Sequence, residues 1–371
     1  MKRLWVGVGF LILSVTLAQN CRAGMVVQIQ DPRYFQRQQE VIFPWAEVKL
    51  VTFEFELVGE GAEASAKQKA RELHDRFLAR IQNLQGGAIV TYVTPPGQRI
   101  ENYRVEAEKV GQAQKAQMVL WGRIMLDSEQ VPLINPRLML VSAPPGVSAA
   151  YSRAIDRDVE TVSVEGLIDA PVTELRVDFN TMKQDVAPLV SFLAGLARYY
   201  KGAAREGSAA RPWLEGSVRD FSDYVRQTPE QQDSSALAQA NLFIARACIR
   251  LAAAETARKQ SHLARARSHA AEAARLNPYN PSVAVVQAVV AARENADPAL
   301  IRTFLAKAVQ LAPADADARI NLAVFDGARG DVKNAVRQLD EAAFVQKSQG
   351  KAISPSVPIL RGEFERMRTP R

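Results

Sequence analysis

The feature that most constrains this chain is a 34-residue frame near its carboxyl end, in which small and large apolar residues return at fixed places. One unit runs over 282–315 and the next over 316–349. The later unit carries Leu322, Ala323, Gly330, Ala335, Leu339 and Ala342; the earlier one places Ala288, Ile301, Leu305, Ala308 and Pro313 correspondingly. Small residues suit the points where one helix crosses its neighbour closely, and the large ones fill the gaps between. Leu276-Asn277-Pro278 and Leu311-Ala312-Pro313 both end a helix, because a proline disfavours helical backbone in the residue before it. Upstream, 236–254 and 261–276 predict a further hairpin, with Ala266, Ala270 and Ala273 at the crowded positions. Segments 186–202 and 213–227 predict another, in which Leu193, Leu196, Tyr199 and Tyr200 face Phe221 and Tyr224. About four hairpins clear the roughly three repeats that such a stack needs for stability.

These positions resemble the tetratricopeptide repeat, with a departure: Arg319 and Asp326 stand where that pattern has Trp and Tyr. The resemblance implies an all-α hairpin solenoid over 185–346, whose concave face, lined by first helices, holds another protein. The candidate partner-binding residues are Asn241, Arg246 and Arg250 in one unit, Gln287 in the next, and Arg319, Asn321 and Asp326 in the last. Asn and Arg pair with an extended backbone or a carboxylate, although scattered exposed charges on a solvated helix are ordinary. The arginine-rich stretch Arg246 to Arg275 reads as a solvated basic face. It lacks the aromatic interleaving that base stacking needs, so nucleic acid is not an expected partner.

The first part has a different grammar. EVKLVTFEFEL over 47–57 alternates polar and apolar residues as a strand does, and 62–84 carries apolar residues at helical spacing. A strand over 88–93, a helix over 104–116 and a strand over 118–126 follow, which predicts a parallel core. Strand-like runs at 133–142, 161–168 and 173–179 complete a mixed sheet with two helices. The passage VGQAQKAQMVLWGRI over 110–124, with Ala116, Val119, Leu120 and Gly122, is similar to the amino-terminal domain of TolB and to the CsgG-like domain. That resemblance spans 40–180 and implies an α+β binding domain of the cell envelope.

The amino end predicts export. Met1-Lys2-Arg3 is a positive start, and residues 4–18 form an apolar run too short to span a bilayer. Cleavage after Ala18 or after Ala23 fits, with the second preferred, so 1–23 is assigned as a signal peptide. No other run reads as a membrane span, so membrane contact is expected to be peripheral at most. Cys21 would be a lipid anchor only if Gln19 and Asn20 were tolerated where small residues are required. Cys248 reads as a small buried apolar residue. The 47 basic against 40 acidic residues, a formal charge of +7, favour an acidic partner. The end, 347–371, holds Pro355, Pro358 and Pro370 among arginines and reads as an extended tail.

Chemistry is sparse. His262 and His269 lie seven residues apart, about 10 Å along a helix, too far for one metal. His74 reads as a surface residue. Ser348-Gln349-Gly350-Lys351 matches Ser-x-x-Lys without its companion motifs. Gly59-Glu60-Gly61-Ala62-Glu63-Ala64 matches a dinucleotide fingerprint, but Glu60 and Glu63 would repel a pyrophosphate. Asp156, Asp158 and Glu160 offer too few oxygens for calcium. No cofactor, metal or catalytic residue is expected. The reading is an exported scaffold with protein partners in the envelope. A self-assembling structural component, or an exported enzyme with accessory repeats, stand beside it.

Overall fold

The structure is a computed structural model. It describes residues 25–28, 48–57 (save 54), 64–82, 89–93, 109–126 (save 110, 114 and 115), 132–141, 167, 175–186 (save 180, 181, 184 and 185) and 187–368 (save 231–233, 351, 352 and 355). Its chain divides into two compact units. One takes in Met1–Pro144 and Thr173–Lys201, the other Pro145–Val172 and Gly202–Arg371.

The first unit is a mixed sheet. Its described strands are β1 (Met25–Gln28), β2 (Val48–Thr52), β3 (Glu56–Leu57), β4 (Ile89–Val93), β5 (Met118–Leu126), β6 (Pro132–Leu140), β7 (Leu175–Asp178) and β8 (Met182–Lys183). The order is β1-β4-β2-β5-β6-β7, with β3 against β5 and β8 against β6. The pairs β1–β4, β4–β2 and β2–β5 are parallel; β6 runs antiparallel to β5, and β7 to β6. The expected parallel core with antiparallel additions is therefore present. The run 47–57 is split into β2 and β3. The predicted helix over 104–116 is helical at 109 and 111–113, and the strand expected over 161–168 lies outside the described residues apart from Leu167.

Helix α1 (Ala64–Gln82) follows β3 and packs on β1 and β6. Its buried residues Leu73, His74, Phe77, Leu78 and Ile81 fall at 3-4 spacing, while Glu72, Asp75, Arg76 and Arg80 stay outside. Gly122 in β5 pairs with Pro136 of β6. A Cβ there would lie 2.8 Å from the Asn135 carbonyl oxygen and 3.0 Å from the Phe55 ring, so the glycine is required by close approach. Helix α2 (Ala187–Ala203) groups with the sheet as far as Lys201, and its Phe192 meets Phe179 edge-on at 5.1 Å.

The second unit is helical: α3 (Arg211–Gln227), α4 (Ser234–Ala254), α5 (Lys259–Leu276), α6 (Pro281–Arg293), α7 (Pro298–Leu311), α8 (Ala316–Ala328), α9 (Val332–Ser348) and α10 (Ser356–Arg368). The pairs α4/α5, α6/α7 and α8/α9 are hairpins, each stacked on the next, as the repeat frame predicts. The expected hairpin of 186–202 with 213–227 is corrected. α2 groups with the sheet unit, whereas α3 packs on α4, where Phe221 stacks on Phe243 at 5.4 Å. The fold class is thus an α+β unit with a helical hairpin array.

Helix starts are set by Asx caps. Asn280 accepts from the Ser282 amide at 3.0 Å, Asp297 from Ala299 at 2.9 Å, Asp315 from Asp317 at 2.9 Å and Asp331 from Asn334 at 3.2 Å. Pro281 and Pro298 open their helices, where a missing amide hydrogen costs nothing. The turns between helices use left-handed backbone at equivalent places, Asn295 with φ 56° and Gly330 with φ 82°.

The expectation of an extended tail over 347–371 is also corrected. Residues 356–368 form α10, which buries Val357, Leu360 and Phe364 against α8 and α9. Pro358 sits in its first turn, where proline is tolerated. Phe364 occupies the space left by the absent side chain of Gly327; a Cβ there would overlap its ring.

Candidate partner-binding surface

Contrary to the expectation of no further apolar span, α4 is apolar and long enough to cross a membrane, but 83% of its most apolar window is buried inside the protein. It behaves as a core helix. Asn241 on α4 is also internal. Its Nδ2 donates to the Leu237 carbonyl at 2.9 Å, and its Oδ1 lies 2.8 Å from His269 Nδ1 on α5. Because that oxygen can only accept, the His269 proton sits on Nδ1. Burial, with Arg265 nearby, pushes the His269 pKa down and keeps the ring in this neutral donor form.

The last repeat is pinned in the same manner. Arg319 Nε donates to the Pro313 carbonyl at 3.1 Å, and its Nη1 reaches Gln338 Oε1 at 3.3 Å and the Glu341 carboxylate on α9. The Asp326 side chain, 3% exposed, accepts from Arg302 Nε on α7 at 3.3 Å. Burial raises the Asp326 pKa and the Arg302 guanidinium opposes the rise. Arg246 and Asn321 are buried too, and both make contacts of their own. Arg250 and Gln287 are half-buried.

These positions correct the expectation of an open, polar first-helix face. Asn241, Arg246, Asn321 and Asp326 are buried, and Arg319 donates to Gln338 and Glu341 of its own hairpin and to the Pro313 carbonyl in the turn before it. On α6, residues 283–286 and 288–292 are buried round the whole circumference of the helix. The seven residues are not gathered into one exposed cluster; three of them bind neighbouring helices of the same chain.

The arginines expected to form a basic face are likewise engaged. Arg267 pairs with Glu294 at 3.2 Å, and Arg275 with Glu230 at 2.8 Å and Glu272 at 2.7 Å. Glu255, after α4, accepts from His262 at 3.1 Å and pairs with Arg211 at the start of α3. Further along, Arg361 on α10 meets Asp340 on α9 at 2.6 Å. Such exposed pairs are each worth little, about 0–1 kcal/mol, but they recur across successive helices and fix their relative register.

What the helical unit shows to solvent is apolar in places. Tyr279 in the α5–α6 turn is 80% exposed and Phe344 on α9 72% exposed, with Leu300 in the first turn of α7 also exposed. Phe344 falls outside the Ala335, Leu339, Ala342 stripe, and that misplacement is the sequence signal that singles it out. Cys248 is buried as expected, and burial pushes its thiol up to about 11, which holds it as an unreactive thiol.

In the sheet unit, His74 is buried rather than on the surface. Its ring meets Phe55 edge-on at 5.3 Å and lies 6.4 Å from Phe77. Neither ring nitrogen has a hydrogen-bond partner among the described residues. Among the described residues no three His, Cys, Asp or Glu side chains are grouped as a metal would require. Gly59-Glu60-Gly61 and the acidic residues 156, 158 and 160 lie outside the described residues.

No protein-family model matches the chain, and no curated protein matches it. Among solved structures, a thermophilic tetratricopeptide protein of Thermus thermophilus is similar at 16% identity and TM-score 0.36, over 60% of this chain and 94% of that one. The TPR2AB domain of yeast Sti1, in its pHSP90 complex, is similar at 11% identity and TM-score 0.26, over 59% of this chain and 98% of that one. Acl4, an assembly chaperone of RpL4, is similar at 13% identity and TM-score 0.34, over 60% of this chain and 95% of that one. The hairpin array described above rests on its own helix pairing.

Proposed function

We propose that the protein is an exported scaffold of the cell envelope, without catalysis, whose helical array holds a protein partner. The observation that carries this reading is the stack of three hairpins closed by α10, with neighbouring helices tied together by side-chain bonds. An array of this kind spreads an extended surface suited to holding another protein. Export is supported by the charged start and short apolar run of 1–23, and an envelope setting by the resemblance of 40–180 to TolB- and CsgG-like domains. With the first-helix faces buried, the partner's contacts are assigned to Arg250 and Gln287, which keep part of their surface, and to Tyr279, Leu300 and Phe344. The excess of basic residues favours a partner with acidic groups.

Two measurements test this. Cell fractionation of the full chain is expected to place it in the envelope fraction in a shortened form; a full-length cytosolic protein removes the export half. Cross-linking and pull-down then compare the wild type with Tyr279→Ala/Phe344→Ala. A defined protein captured by the wild type and lost from the double variant supports the scaffold. Recovery of the protein's own chain alone favours the self-assembling component, and recovery of nothing overturns the scaffold.

A further inference from the structure

A buried titratable side chain in the sheet unit has no place in partner binding. His74 lies on the buried stripe of α1 with Leu73, Phe77, Leu78 and Ile81, and is 5% exposed. The sheet offers it the Phe55 ring, edge-on at 5.3 Å. Neither Nδ1 nor Nε2 has a hydrogen-bond partner among the described residues, so packing against apolar groups favours the neutral imidazole. The charge that acts on it is Asp75, beside it on α1, which favours protonation against the stronger effect of burial. Arg123 of β5 flanks Gly122, the residue against which Phe55 packs, and so points to the opposite face; Arg137 of β6, across from Trp121, shares that opposite face.

We propose that His74 is an acid-sensitive latch: protonation of its ring releases α1 from the sheet and exposes the stripe Leu73, Phe77, Leu78 and Ile81. The physical reason is that an imidazolium packed among Phe55, Phe77 and aliphatic side chains is desolvated and has no hydrogen-bond partner among the described residues, whereas on a detached helix it is hydrated. Packing holds the ring's pKa at about 4 against an ordinary 6.5. The detached helix therefore takes up the proton first. Between pH 7 and pH 5 that difference multiplies the population of the released form roughly 20-fold. Helix opening of this kind needs no loss of the sheet, because α1 is one local element with its own packing face.

The test is hydrogen exchange on the full chain, corrected for the intrinsic pH dependence of the chemistry, with wild type and His74→Phe compared from pH 7 to pH 5. The expected result is a roughly 20-fold loss of protection in α1 of the wild type. β5 and β6 keep their protection, and His74→Phe shows no change in α1. Unchanged α1 protection in the wild type overturns the proposal, as does simultaneous loss in α1, β5 and β6, which is global acid unfolding. Equal acid sensitivity in His74→Phe overturns it too. If that variant does not fold, the His74 ring titration in the wild type decides. A midpoint well below 6.5, coincident with loss of α1 order, sustains the latch; an ordinary midpoint near 6.5 removes it.

Discussion

Two buried polar settings, one in each unit, are handled in opposite ways. In the helical unit, the Asn241 amide bonds both Leu237 and His269, and the Asp326 carboxylate meets Arg302. In the sheet unit, His74 and the Trp121 indole nitrogen are buried with no hydrogen-bond partner among the described residues. The difference follows from architecture. A hairpin array sets polar side chains against each other across helix interfaces, within a hairpin at Asn241–His269, 28 positions apart, and between adjacent hairpins at Arg302–Asp326, 24 apart. A helix on a sheet meets β-branched and aromatic side chains, which offer nothing to an imidazole. Asn241 and Asp326 therefore tie one helix to the next, while His74 is tolerated at a cost that depends on pH.

The largest break in this comparison is aimed at a place where the helical unit relies on apolar shape. Phe364→Ala empties the space over Gly327 and should destabilise the array by about 3–5 kcal/mol, measured by denaturant unfolding of the helical signal. Next is the sheet unit's pH dependence. The folded-state pKa of His74 is depressed, so its contribution is fully present above about 6.5 and falls away as the pH drops towards 4. Over that window the sheet unit should lose about 3 kcal/mol, and His74→Phe should abolish the loss. Asn241→Ala leaves the His269 donor buried and alone, for about 1–3 kcal/mol, while the conservative Asn241→Gln tests whether geometry or polarity matters. The smallest is Asp297→Ala, which removes the cap on α7 and should cost about 1 kcal/mol in thermal unfolding. A cost near zero would mean that tertiary packing alone holds that helix start.

Much of the fold is legible in the chain itself. The strand over 118–126 can be read to both its ends, because apolar residues run almost unbroken between turn signals. The later hairpins follow from the small-residue frame and from Asn or Asp at every helix start. Burial of the candidate site is not legible, because Asn241 and Asp326 find their partners on other helices, and no local pattern distinguishes a buried pin from a solvated polar residue. Arg319 is the same case: where the repeat pattern has an aromatic, this chain uses a guanidinium to fill the gap and bond Gln338 and Glu341. His74 is legible in principle, since it shares a helical face with Phe77, Leu78 and Ile81; its polarity suggests the surface, and its position overrules that. Prolines and arginines make α10 look like an extended end, yet its buried residues keep helical spacing.

Phe364 seated over Gly327 also decides what the last hairpin shows to solvent. A row of hairpins shows at its last member the surface that each member shows to the next, so a bare end is a growing end. With α10 in place, the surface that α8 and α9 would otherwise show to solvent lies under Val357, Leu360 and Phe364, and the last hairpin presents the mostly polar outside of a helix in place of an adhesive face.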